Sequence, residues 1–139
     1  MSNEYKDLKA NLRQTFEEKV KDLNFLYDGW VNSFIPQLKD ELFDLLGSYV
    51  EQFHVICIKE KFGRLTTYWC FDLDGLEDAY VEDVEELYEQ VAELLHKYAD
   101  ISSKTCIVCG EQGVMRDDYW LTPWCDKCYE NRYEVTNNA

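Results

Sequence analysis

Six cysteines stand in this chain of 139 residues, and four of them fall into two pairs of one spacing. They read Cys106-Ile-Val-Cys109 and Cys125-Asp-Lys-Cys128, with fifteen residues between the pairs. A Cys-x-x-Cys pair lets both sulfurs of one turn point at a single ion. A second pair supplies the other two corners of a tetrahedron. Gly110 follows the first pair, where the chain bends around sulfur and a residue without Cβ turns at little cost. Cys106, Cys109, Cys125 and Cys128 are therefore predicted to hold one structural Zn2+. Four thiolates also suit iron. The other chemistry open to such pairs is thiol–disulfide exchange. A redox pair sits at a helix start in a βαβ context, which this sequence lacks.

Four protein ligands leave the ion no vacant position for water or substrate, so the site reads as structural rather than catalytic. The zinc-deaminase pattern needs His-x-Glu upstream and a proline directly before Cys-x-x-Cys. Here Trp124 separates Pro123 from Cys125, and neither His54 nor His96 has Glu two residues on. No Gly-rich phosphate loop, His-Glu-x-x-His pair or nucleophile elbow is present. The expectation is that the chain is not an enzyme. His54 and His96 read as structural or surface residues. Cys57 and Cys70, in adjacent predicted strands, read as small buried apolar residues rather than as a cross-strand disulfide.

The elements that must position the cysteines follow from periodicity. Residues 3–23 place Tyr5, Leu8, Leu12, Phe16, Val20 and Leu23 at steps of three or four, which predicts an amphipathic helix. Asp28-Gly29 marks a break before Trp30. Pro36 suits the first turn of a second helix carrying Leu38, Leu42, Phe43, Leu45 and Leu46, capped at Gly47. Residues 52–59 and 65–71 are rich in β-branched and aromatic types and predict a hairpin turning at Glu60-Lys61-Phe62-Gly63. A helical period returns from about 77 to 99 on Val84, Leu87, Tyr88, Val91, Leu94, Leu95 and Tyr98. Between the cysteine pairs, Val114–Arg116 against Trp120–Thr122 predicts a short hairpin, with Tyr119, Trp120 and Trp124 filling its core or its contact with the rest. The fold class is thus α+β: helices packed with a β-hairpin, plus a small C-terminal zinc ribbon. The expected organisation is a domain over residues 1–103 with an acidic helix, a ribbon over 104–130, and a flexible tail over 131–139.

Composition bounds the function. An apolar fraction of 46% and an aromatic fraction of 15% support a folded core. No apolar run reaches the roughly 20 residues a membrane-spanning helix needs. The opening MSNEYKDLK has no apolar stretch, so no secretory signal is expected. A reducing bacterial or host cytoplasm is the default compartment. The formal net charge is −14, and residues 72–103 carry −10 of it with Lys97 as their only base. Glu77, Asp78, Glu82, Asp83, Glu85, Glu86, Glu89 and Glu93 lie opposite the apolar positions of the third helix. Such a face repels phosphate backbones and anionic membranes and attracts basic surfaces. These eight residues are the predicted partner-binding set. Lys59, Lys61 and Arg64 form the one local basic cluster and read as a solvated turn, or one docked on the chain's own acidic helix.

Two stretches resemble a family of small, largely uncharacterised bacterial, phage and prophage proteins. One is Lys59-Glu60-Lys61-Phe62-Gly63-Arg64-Leu65. The other is the ribbon from Cys106 to Cys128, with Gly110, Gly113, Arg116, Trp120, Thr122 and Asp126 in step, and Gly29-Trp30 fits the same pattern. Arg64 and Thr66 depart from it where glycine and arginine are expected. The resemblance implies a phage-type accessory protein with no named activity. The expected function is therefore a non-catalytic accessory factor that binds a host protein through its acidic surface. An inhibitor of host defence, of the anti-CRISPR kind, or a nucleic-acid mimic fits that role. The alternative is a zinc-ribbon nucleic-acid-binding or transcription-regulatory protein, against which residues 104–139 are themselves net negative.

Overall fold

The computed structural model describes residues 2–118 and 120–132. Tyr119 and the predicted tail beyond residue 132 lie outside them. Helix α1 spans Ser2–Lys19 and tightens into a 3-10 turn over Lys21–Phe25. Phe16, Val20 and Leu23 are buried, but Tyr5 and Leu8 are 69% and 64% exposed. The apolar stripe is present as predicted, and its first two turns overhang the body. The Lys19 ammonium ties the far end down, donating to the carbonyls of Glu51 at 3.1 Å and Phe53 at 2.6 Å.

Asp28–Val31 form the single turn α2, which seats Trp30 with no exposed surface. Helix α3 covers Ile35–Leu46 with Pro36 in its first turn, where a missing N–H costs nothing. Gly47, at φ +53, ends it. Its buried face, Leu38, Leu42, Phe43 and Leu46, lies at the centre of the core. Each such side chain contributes about 1.5–3 kcal/mol on leaving water.

Strand β1 (Phe53–Lys61) pairs antiparallel with β2 (Arg64–Phe71). The two-residue turn has φ +55 at Phe62 and +79 at Gly63, the positive pair that a type I′ hairpin requires. The register shifts between Val55 and Cys57, leaving Ile56 as a bulge that is 70% exposed. The register corrects the expectation for the two cysteines. One extra residue reverses which face the following side chains occupy. Cys57 therefore opposes Tyr68 on the outer face, and Cys70, which alternates with the inward Trp69 and Phe71 of β2, opposes His54 on that same face. Both are free thiols, Cys70 exposed and Cys57 half-buried, rather than core residues.

Helix α4 spans Asp78–Ser102 and lays Val84, Leu87, Val91 and Tyr98 on the core. It holds the hairpin's inner face: Tyr88 meets Trp69 at 4.5 Å between ring centroids, and the Leu65 N–H donates to Ser102 Oγ at 2.8 Å. Arg64 reaches Asp100 at 2.8 Å. Tyr98 stacks on Phe34 at 6.1 Å and donates its hydroxyl to Glu41 at 2.5 Å. Among the described residues, no helix is long and apolar enough to cross a membrane.

The ribbon follows α4 almost at once. Strands β3 (Val114–Asp117) and β4 (Leu121–Trp124) pair antiparallel, with Arg116 opposite Thr122. Cys125 caps the short helix α5, Asp126–Glu130. The second strand begins one residue later than the pattern predicted. Trp120 consequently sits outside it and is 76% exposed, so it does not fill the ribbon core. Trp124 is half-buried, edge-on to Tyr129 at 6.2 Å.

Candidate metal centre

The first cysteine is placed by the end of α4. Thr105 returns its hydroxyl to the Ile101 carbonyl at 2.7 Å, and its own carbonyl accepts the Trp30 indole N–H at 3.0 Å. Cys106 is thereby fixed with no exposed surface. The chain then folds back on itself. Gly110 N–H donates to the Cys106 carbonyl at 3.1 Å, and Cys106 N–H to the Glu111 carbonyl at 2.8 Å. Gly110 has φ +79 and packs so closely on α2 that a Cβ would lie 2.6 Å from the Gly29 carbonyl oxygen. Gly29 is equally constrained: its N–H donates to the Ile107 carbonyl at 2.9 Å, and a Cβ would lie 2.1 Å from the Cys106 carbonyl oxygen. Two glycines thus interlock the first cysteine turn with the helical body.

The second pair arrives on β4 and α5. Ile107 N–H donates to the Pro123 carbonyl at 3.0 Å, drawing β4 against the first turn. Arg116 of β3 binds Asp126, the residue after Cys125, at 2.5 Å, and lies over the Tyr129 ring at 4.6 Å. This pins α5 to the hairpin and sets the direction of Cys128.

All four sulfurs lie within 4.8 Å of one another, and Cys109 and Cys125 are 3.6 Å apart. A tetrahedral ion bonded at about 2.3 Å sets its sulfurs about 3.8 Å apart, so the spacing suits a single ion. Backbone amides already face the sulfurs. Glu111 N–H points at Cys109 Sγ at 3.5 Å and Cys128 N–H at Cys125 Sγ at 3.3 Å, which disperses thiolate charge. Burial opposes ionisation of Cys106, but the amides of Cys109, Cys125 and Val108 outweigh it and bring the thiol down to about 7. Burial and the neighbouring sulfurs of Cys125, Cys109 and Cys106 push Cys128 up to about 12. Four thiolates this close ionise together only around a cation. Cys106, Cys109, Cys125 and Cys128 therefore form a metal-binding cluster, as the spacing predicted.

The predicted partner-binding acids lie elsewhere. All eight are exposed. Asp78, Glu82, Glu85, Glu86, Glu89 and Glu93 recur at helical spacing on the side of α4 away from Val84, Leu87 and Val91. Glu77 is the extended N-cap residue rather than part of the helix. Asp83, on the flank, accepts the Tyr49 hydroxyl at 3.1 Å. Among the described residues no base pairs with any of the eight, and Arg64 of the basic cluster reaches α4 only at Asp100. Gly63 escaped the sequence argument as a contact residue. A Cβ there would meet Met115 Sδ at 2.6 Å and the Leu121 carbonyl at 3.0 Å, so the hairpin tip rests on the ribbon. The signal was the Phe62-Gly63 turn itself, which predicted a bend but not what lay beneath it.

No family model, curated protein or solved structure matches the chain.

Proposed function

We propose that this chain is a zinc-stabilised, non-catalytic accessory protein that docks the acidic face of α4 on a basic surface of a partner protein. Zinc is the ion preferred for a closed four-cysteine site of this spacing, and it brings no redox chemistry. The observation that carries the reading is the stripe Asp78, Glu82, Glu85, Glu86, Glu89 and Glu93, exposed and matched by no base among the described residues. Like charges at i,i+4 destabilise a helix by a few tenths of a kcal/mol per pair. A stripe of them is retained against that cost when a cationic surface neutralises it. A phage or prophage protein acting on a host factor, as an inhibitor of defence or a mimic of nucleic acid, uses such a face directly.

The test is capture of host protein by the native chain and by a variant with Glu82, Glu85, Glu86, Glu89 and Glu93 changed to Gln. The native chain is expected to retain a discrete partner, released by salt, that the variant fails to retain at equal folding. Equal capture by both would end the proposal. Elemental analysis is expected to find one zinc per chain. A visible absorption band and an iron signal would reassign the ion.

A further inference from the structure

We infer that the outer face of the β1–β2 hairpin, together with Trp120 of the ribbon, is a binding surface for single-stranded nucleic acid. Three large aromatic side chains stand out of the protein around this face. Phe62 is 69% exposed, Trp120 76% and Tyr68 43%. The tip of the hairpin sits on the ribbon, which brings the backbone at Phe62 and at Trp120 close together. The Leu121 carbonyl, one residue after Trp120, would be 3.0 Å from a Cβ on Gly63, one residue after Phe62.

Cations are interleaved with the rings. The Lys59 ammonium lies 5.5 Å from the centre of the Tyr68 ring, and that of Lys61 lies 5.8 Å from the centre of Phe62. Neither lysine has a carboxylate partner among the described residues. Arg64 pairs with Asp100 but keeps 39% of its side-chain surface open. Tyr68 and Phe62, each beside an ammonium, suit bases that stack one at a time while their phosphates meet the lysines, and Trp120 offers a further ring without a cation of its own. The hairpin's inner face lies on α4, so its outer face turns away from that helix.

Phe62 adds an independent sign. A bulky residue at φ +55 is an outlier, and asparagine is the favoured residue at that position of a type I′ turn. An exposed ring held in a conformation that another residue adopts more cheaply points to use of the ring itself.

The experiment follows labelled oligothymidylate and oligouridylate of about 15 nucleotides by fluorescence anisotropy at about 50 mM salt, against the intact, metal-loaded chain. Saturable binding that weakens with salt and exceeds binding to a duplex of similar length is expected. Phe62→Asn and Trp120→Ala should each weaken it about tenfold or more. Phe62→Asn should melt at the same temperature as the native chain or higher, which separates loss of the ring from loss of the fold. The variant with a neutral α4 should bind the oligonucleotides at least as tightly as the native chain, so failure here is distinct from failure of the docking role. Absence of binding, undiminished binding by Phe62→Asn, or equal competition by polyglutamate would overturn the proposal.

Discussion

In the helical body Trp30, Leu38, Leu46, Val50 and Val91 are each within 1% of complete burial. Among the described residues of the ribbon the buried side chains are Thr105, Cys106, Thr122 and Pro123, while Val108, Val114 and Trp120 face solvent. The body can be held by apolar burial alone. The ribbon has little apolar surface to withdraw from water, so its strands and the short α5 depend on the four sulfurs having something to bind. Structural zinc contributes on the order of 10–16 kcal/mol in small peptides, comparable to the roughly 5–15 kcal/mol that stabilises a whole domain. One chain thus joins a region stabilised by many weak contacts to one stabilised by a few strong bonds.

The contrast is broken most severely at a ligand. Cys109→Ser is expected to release the ion and unfold residues 104–130, a loss on the order of 10 kcal/mol to that segment. Hydrogen exchange should show the protection of α3 largely preserved, and metal analysis far less than one equivalent. Retention of a full equivalent would mean that four sulfurs are not the ligands. Next in size is Leu42→Ala, which should lower the unfolding free energy by about 2–5 kcal/mol in denaturant while leaving the metal content unchanged. Gly29→Ala tests the seam. Its Cβ has no room against the Cys106 carbonyl, so the two regions must shift apart. A loss of about 1–3 kcal/mol and faster metal transfer to a chelator are expected, and native transfer kinetics would count against the interlock.

The smallest effect is one of pH. Burial, then the hydrogen bond to Glu41 and that carboxylate's charge, raise the Tyr98 hydroxyl above its ordinary value of 10.0. The folded chain therefore holds this proton more tightly than the unfolded one. The contribution is intact below pH 10 and fades as pH climbs above it. Tyr98→Phe should lose about 0.5–1.5 kcal/mol at neutral pH and flatten that alkaline decline. An unchanged alkaline slope would assign the decline to other groups.

Much of this was legible in the residues. The cysteine spacing specified the metal cluster, and the switch from a period of two to one near four located the hairpin and α4. Pro36 and Gly47 bracketed α3 because each acts through its own backbone. What escaped depended on partners rather than on pattern. Tyr5 and Leu8 fit an amphipathic stripe, yet periodicity cannot tell whether anything lies against the face it marks. The bulge at Ile56 leaves no mark in composition, and it moved Cys57 outward, whereas Cys70 faces out by ordinary alternation with Trp69 and Phe71. Trp120 was assigned to an interior from its type, whereas its place beside the turn left it exposed. The acidic stripe was legible as a face, since charge needs no neighbour to be recognised.

The hydrogen bond from the Trp30 indole to Thr105 spans 75 positions of sequence. During synthesis the largest fully buried side chain of the body therefore waits for a carbonyl that leaves the ribosome late, next to the first sulfur ligand. Closing so long a loop is slow relative to forming the local helices. Maturation should then show two kinetic phases, with the slower one quickening as free zinc in the refolding buffer rises.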